Sequence, residues 1–398
     1  MIHLVSSKTA IFSLTLAALV LAACKGEDRP EVDVIGGNGS ASVSVSASGA
    51  GPESAGGATP TASRTAAAGA GGTTPASGAY NPVSNVDSYF QMGLDLRDMR
   101  AVMASAAQGG SVDWAAVTAI YGNGKNQVAA NGTTRSLASI PNDSVQAVFP
   151  NGSSVYGRSN FIDLLIRDGL AGTRRAQGLP DDARRQIVDK GVQILMYGKA
   201  LQELESAKTR VAAKNLDNAT GAPHAVDEAW GAIAGAADDK GERPYGLLAT
   251  ATGREGNFKL EGKLRAPLES AFVAALAASQ KGDAAAFDKA HADIKGYLNA
   301  TFYLGVLRYG RPLEGDTTEA QRQGHLAEGW AFWQTIRAAV AGASSSAAQV
   351  VEAAYTRPAA QAFPASETTR IYAALNEPAV LRALGVPAAL QVKSPPAQ

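Results

Sequence analysis

Cysteine occurs once in the 398 residues, at Cys24. A single thiol cannot close an intrachain disulfide framework, a zinc ribbon or a Cys-ligated cluster. Histidine is nearly as scarce. His3, His224, His291 and His325 are the full set, so any imidazole site must be sparse. An excess of one charge is missing as well: 36 Lys and Arg face 36 Asp and Glu. That balance leaves no basic footprint for nucleic acid or an anionic lipid surface. Between Gly36 and Ala79, aromatics, Leu, Ile and Met are absent, and 39 of 44 residues are Gly, Ala, Ser, Thr or Pro. Such a stretch buries too little apolar surface to offset its chain entropy, so a disordered tether is expected over residues 25–80. Catalytic signatures are lacking too. No Ser sits in a nucleophile-elbow context and no His-Glu-x-x-His occurs. Gly36-Gly37-Asn38-Gly39 has no strand before it and is no phosphate loop. Nothing here demands an enzyme.

What is present begins with a targeting segment, residues 1–24. Lys8 is the only Lys, Arg, Asp or Glu before Cys24, and the apolar run Ala10–Val20 follows it. The run ends in Leu21-Ala22-Ala23-Cys24. A basic start, a short apolar core and small residues at the end describe a secretory signal. The core is too short for a membrane span of about 20 residues. Leu-Ala-Ala-Cys resembles the lipobox of bacterial lipoproteins, whose cysteine becomes the acylated mature N-terminus. The resemblance implies lipidation at Cys24, with palmitate as an expected chain, and Lys25 in place of Asp favours the bacterial outer membrane, facing periplasm or cell surface. Several acyl chains make a stable anchor. A coil of the tether's length reaches roughly 35–40 Å.

From about residue 81 to the C-terminus the period is helical. Val117, Ile120 and Tyr121 keep an i, i+3, i+4 rhythm. Pro180-Asp181-Asp182 opens a helix with Ile187, Gly191, Ile194, Gly198, Leu201, Leu204 and Ala207 on one stripe. Arg265–Gln280 reads as another, and Asp283 as the N-cap of a long one. A further helix opens at Asp316-Thr317-Thr318-Glu319, with shorter ones over Ala347–Tyr355, Glu367–Leu375 and Ala379–Leu384. Asn151-Gly152 is a turn signal that admits a short β-hairpin over 145–155. The expected class is all-α, a helical bundle of two related halves with a boundary near 215.

Two segments carry the chemistry. One is Pro223-His224-Ala225-Val226-Asp227-Glu228-Ala229-Trp230, the other Gly324-His325-Leu326-Ala327-Glu328-Gly329-Trp330. Each pairs a His with a Glu one helical turn on and a Trp two residues later. Those offsets put imidazole and carboxylate on one helix face. Helical bundles build metal centres from such pairs. Mixed imidazole and carboxylate ligands suit iron, manganese or zinc. The candidate ligands are therefore His224, Asp227, Glu228, His325 and Glu328. A solvated ion pair and first-turn capping explain the same spacings, and the tryptophans read as core. Glu203 or Glu205 could complete a site, Tyr309 could be a phenolate ligand or an interfacial Tyr, and His291 reads as solvated beside Asp288 and Lys295.

The block Gly221–Trp230 resembles the signature of the low-iron-inducible periplasmic protein family, the algal iron-assimilation proteins and their bacterial relatives. Asp113–Tyr121 with Asn123-Gly124-Lys125-Asn126 is similar to the family's N-terminal block, and Leu307-Arg308-Tyr309 and Glu328–Phe332 to its C-terminal ones. His325-x-x-Glu328 is also similar to imelysin-like iron-regulated lipoproteins, though Gln323 stands where those carry Gly. The resemblance implies iron acquisition outside the cytoplasm. Iron, Fe2+ or Fe3+, or another divalent metal is then the cargo, and the partners are the membrane through the N-terminal lipid and an uptake transporter. Two alternatives stay open: an imelysin-like metallopeptidase using His325 and Glu328, and a metal-free envelope interaction protein.

Overall fold

The computed structural model describes residues 80–129 and 131–395. Contacts divide the chain after Thr65, and every described residue belongs to the unit 66–398. The signal segment, Cys24 and the tether lie outside the described residues.

The described residues form sixteen α-helices. They are α1 (Asp87–Phe90), α2 (Met92–Met103), α3 (Trp114–Asn123), α4 (Asp143–Ala147), α5 (Gly152–Tyr156), α6 (Phe161–Ala171), α7 (Asp181–Ala212) and α8 (Ala222–Ala234). There follow α9 (Leu247–Phe258), α10 (Arg265–Lys281), α11 (Ala284–Arg308), α12 (Gly310–Gly315), α13 (Glu319–Ala343), α14 (Ser345–Tyr355), α15 (Ala365–Leu375) and α16 (Pro378–Leu384). Among the described residues there is no strand, only the isolated bridge between Val128 and Thr134. The fold is all-α. The hairpin admitted near Asn151-Gly152 is two short helices instead. Asn151 does take the left-handed conformation, φ 57°, but as the N-cap of α5, four residues after the end of α4. The turn signal was sound; its flanks are single helical turns, too short to show a period.

Thirty-two residues long, α7 runs through the centre and packs against α8, α13, α6 and α11. All seven stripe residues from Ile187 to Ala207 are buried. Gly191 explains how α6 comes close: a Cβ there would stand 2.7 Å from Ile166 and 2.8 Å from Leu165. Gly329 does the same for α14, since a Cβ would meet the Tyr355 ring at 2.1 Å. Caps set the other boundaries. Asp283 accepts from Ala286 N–H to start α11, and Thr318 with Gln321 forms a capping box on α13. Trp230 and Trp333 are both core residues, and Trp333 donates to Glu352 at 2.7 Å.

Both motif helices, α8 and α13, lie against α7. They meet it at different levels, near Glu203 and near Lys190. Thirteen residues of helix separate those levels by about 20 Å along the axis.

Candidate functional site

Pro223 is pre-set for the first turn of α8, so His224 comes in that turn and Glu228 one turn below. Asp227 points the other way and is fully buried. Its Oδ1 accepts from the Tyr80 hydroxyl at 2.5 Å, and its Oδ2 from Val83 N–H at 2.9 Å, Ser84 N–H at 2.8 Å and the Ser84 hydroxyl at 2.7 Å. Four donors leave that carboxylate no room to ligate a metal. It fastens residues 80–84 to α8 instead, and Tyr80 packs its ring on Trp230 and Phe272.

His224 and Glu228 keep a working geometry. His224 Nδ1 lies 2.9 Å from Ser84 Oγ, and Nε2 lies 3.3 Å from Glu228 Oε1. Both side chains are partly open to solvent, 22% and 15% exposed. Across from them α7 offers Glu203, close enough for its charge to act on Glu228, accepting from the Tyr89 hydroxyl at 3.2 Å and paired with Lys199 at 2.5 Å. Burial, then the Glu203 charge, pushes the Glu228 carboxyl up to about 7. Burial, then Arg210, lowers the His224 imidazole. Tyr89 is held well above the ordinary phenol range by burial and by both glutamates, so it stays a phenol.

The second motif is built otherwise. Glu328 Oε1 pairs with Lys190 Nζ at 2.9 Å, both side chains nearly buried. Lys190 also reaches Asp189 at 3.3 Å, and Asp189 holds Arg100 at 2.8 Å. Burial alone would raise the Glu328 carboxyl, but Lys190, the Tyr309 hydrogen bond and Arg254 hold it below the usual range. Asp189 is lower still, because Arg100 and Lys190 outweigh its burial. His325 turns from Glu328 toward Asp316, with Nδ1 2.9 Å from Oδ2. Burial opposes its charge, yet Asp316 wins and raises the imidazole. With Lys190 seated on Glu328, a cation already occupies the place a metal-bound water would need.

The five residues singled out in the sequence thus fall into three environments. His224 and Glu228 come together, Asp227 ties down the chain beside them, and His325 and Glu328 sit in an ion-pair network about 20 Å along α7. Among the described residues no three His, Cys, Asp or Glu side chains form a group that could hold a metal ion as they stand. Glu203 is buried beside Glu228, whereas Glu205 is exposed. Tyr309 is a buried phenol beside Glu328, one of the groups that favour its ionised carboxylate. His291 is 8% exposed, not solvated, and faces Glu205 at 3.6 Å on the wall of a 560 Å³ cleft. Ser84 and Lys190 have no local sequence signal, because Asp227, His224 and Glu328 are far along the chain, whereas Lys199 lies one helical turn before Glu203.

With this geometry in place, the chain matches the family described as low iron-inducible periplasmic protein over residues 55–295. It belongs to that family. The match contains every residue of the first cluster and stops before α13, so His325 and Glu328 lie beyond it. It carries the family and not the imelysin likeness. No curated protein and no solved structure matches the chain. Among the described residues no helix is long and apolar enough to cross a membrane. The family's description ties the protein to the periplasm and to iron shortage.

Proposed function

We propose that the protein is a lipid-anchored, extracytoplasmic iron-binding protein that takes part in iron acquisition, with His224, Glu228 and Glu203 as the ligands. One observation carries the reading. An imidazole nitrogen and two carboxylates from two packed helices face each other at a solvent-reachable point with one ammonium, Lys199, among them. A proton on Glu228 relieves the repulsion between the carboxylates, and a metal ion does so better. Loading then displaces that proton and draws Glu203 from Lys199. Two carboxylates, a neutral imidazole and no phenolate suit Fe(II) before Fe(III). Asp227 positions the cluster, and the lipid on Cys24 keeps the domain near the membrane for transfer to an uptake transporter. His325 and Glu328 hold the bundle together.

The test is anaerobic calorimetric titration of the metal-stripped protein with Fe(II), beside Fe(III), Zn(II) and Mn(II), with elemental analysis. Micromolar or tighter Fe(II) binding is expected, lost in His224→Ala/Glu228→Ala. Binding no tighter than millimolar, or an unaltered double variant, sinks the proposal.

A further inference from the structure

We infer that Ser84 and Asp227 are positioning residues that fix the tautomer of His224 and aim its bare Nε2 at the cation site. The inference rests on the metal-binding reading for its purpose, though not for its geometry. It follows from counting protons. The Ser84 hydroxyl has one hydrogen, and it goes to Asp227 Oδ2 at 2.7 Å. Asp227 has no use for Ser84 as an acceptor, since Val83 N–H, Ser84 N–H and the Tyr80 hydroxyl also donate to it. Ser84 Oγ can therefore meet His224 Nδ1, 2.9 Å away, only by accepting. The ring hydrogen sits on Nδ1. In the neutral ring the lone pair is on Nε2, 3.3 Å from Glu228 Oε1. Below about pH 7 the proton on Glu228 can bridge that gap; once it is lost the two acceptors repel unless a cation stands between them. Metal-ligating histidines are oriented in this way, by a second acceptor on the ring nitrogen that is not bonded to metal.

The arrangement also gives residues 80–84 a role. Tyr80 is buried against Trp230 and Phe272, and its backbone N–H donates to Glu269 at 3.0 Å. That grip keeps Ser84 in register with α8. A chain segment 140 residues away in sequence thereby becomes the orienting partner of His224.

The deciding measurement needs no metal. Nitrogen-15 NMR of the histidine ring, on the full metal-free protein at pH 8, separates the Nδ1–H tautomer, the Nε2–H tautomer and the imidazolium. Nδ1–H is expected for His224 in the wild type. Ser84→Ala should shift it toward Nε2–H, and Ser84→Thr, which keeps the hydroxyl, should restore it. With Zn(II) as probe, Ser84→Ala should bind about 10- to 100-fold more weakly, and Ser84→Thr within a few-fold of wild type. An Nε2–H ring or an imidazolium in the wild type overturns the inference, as does a tautomer unchanged in Ser84→Ala. If the tautomer responds as stated but Zn(II) and Fe(II) fail to bind, the positioning stands and the metal reading falls. If metal binds with no response to Ser84, the reverse holds.

Discussion

Glu228 and Glu328 follow their histidines at nearly the same spacing, each two residues before a Trp, yet they live in opposite electrostatic worlds. The difference comes from α7. At the level of α8 it presents Glu203, and burial together with that second carboxylate lets Glu228 keep its proton up to about 7. At the level of α13 it presents Lys190, so Glu328 is held ionised and paired. At the first station one ammonium, Lys199, sits on Glu203 and leaves Glu228 without its own, whereas at the second Lys190 sits on Glu328 itself. Paired His and Glu along one helix therefore do not make a metal site by themselves; the facing helix decides.

Removing Lys190 should break the comparison most violently. Lys190→Ala strands Glu328 and part of Asp189 with little access to water. A cost of about 3–5 kcal/mol is expected, as for other buried pairs that lose one partner. Lys199→Ala at the first station should cost clearly less at pH 6, because Glu203 and Glu228 can share a proton in place of the ammonium. Chemical denaturation of both variants settles it, and equal losses at pH 6 would erase the distinction.

Metal affinity should divide the stations next. Glu203→Gln is expected to weaken Fe(II) binding tenfold or more, about 1.4 kcal/mol, while Glu328→Gln leaves it unchanged. Calorimetry on the two variants side by side reads this directly. A loss from Glu328→Gln matching that from Glu203→Gln would mean that both motifs serve one site.

Glu228 also makes pH a probe. Its folded value, about 7, lies above the ordinary carboxylate value, so the folded state binds the extra proton between them. Stability from that protonated form is complete at the acid end, near pH 4.5, and is lost as pH rises through 7. Glu228→Gln carries its hydrogens permanently and should escape the loss, gaining on the order of 2 kcal/mol over wild type by pH 8. Parallel stability curves for the two proteins from pH 5 to 8 would show that Glu228 is not the group responsible. The same sign predicts that Fe(II) affinity weakens as pH falls from 7 to 5, because the ion must then displace a bound proton.

How far the sequence revealed this depends on distance along the chain. The stripe on α7, the Asp283 cap and the opening of α13 near Thr318 rest on spacings of three or four residues, and each was readable, though the capping box with Gln321 shows only in the structure. The His224–Glu228 pair was readable for the same reason. Glu203 was one of two acids that could face inward, and only packing chose between it and Glu205. His291 misled because Asp288 and Lys295 nearby suggest a wet face, although burial is set by α7 across from it. Lys190 meets Glu328 across 138 residues, and no period or spacing announces such a pair.

The smallest effect is expected at His325, and its sign is the informative part. Asp316 raises this imidazole against the pull of burial, so its charged form stabilises the fold. That stabilisation is fully present below the unfolded histidine value, near 6.5, and is lost as pH rises through the higher folded value. Because 35% of the His325 side chain is exposed, solvent screens the pair. Asp316→Asn should cost only about 0.5–1 kcal/mol at pH 6, and nearly nothing at pH 9, measured by denaturation at the two pH values. If His325 instead belonged to a metal centre with Glu328, Asp316→Asn would lower Fe(II) affinity and the stability cost would persist at pH 9. A pH-limited loss with unchanged metal affinity leaves α13 as the arm of the bundle that is tied to α7 by ion pairs, outside the proposed site on α8.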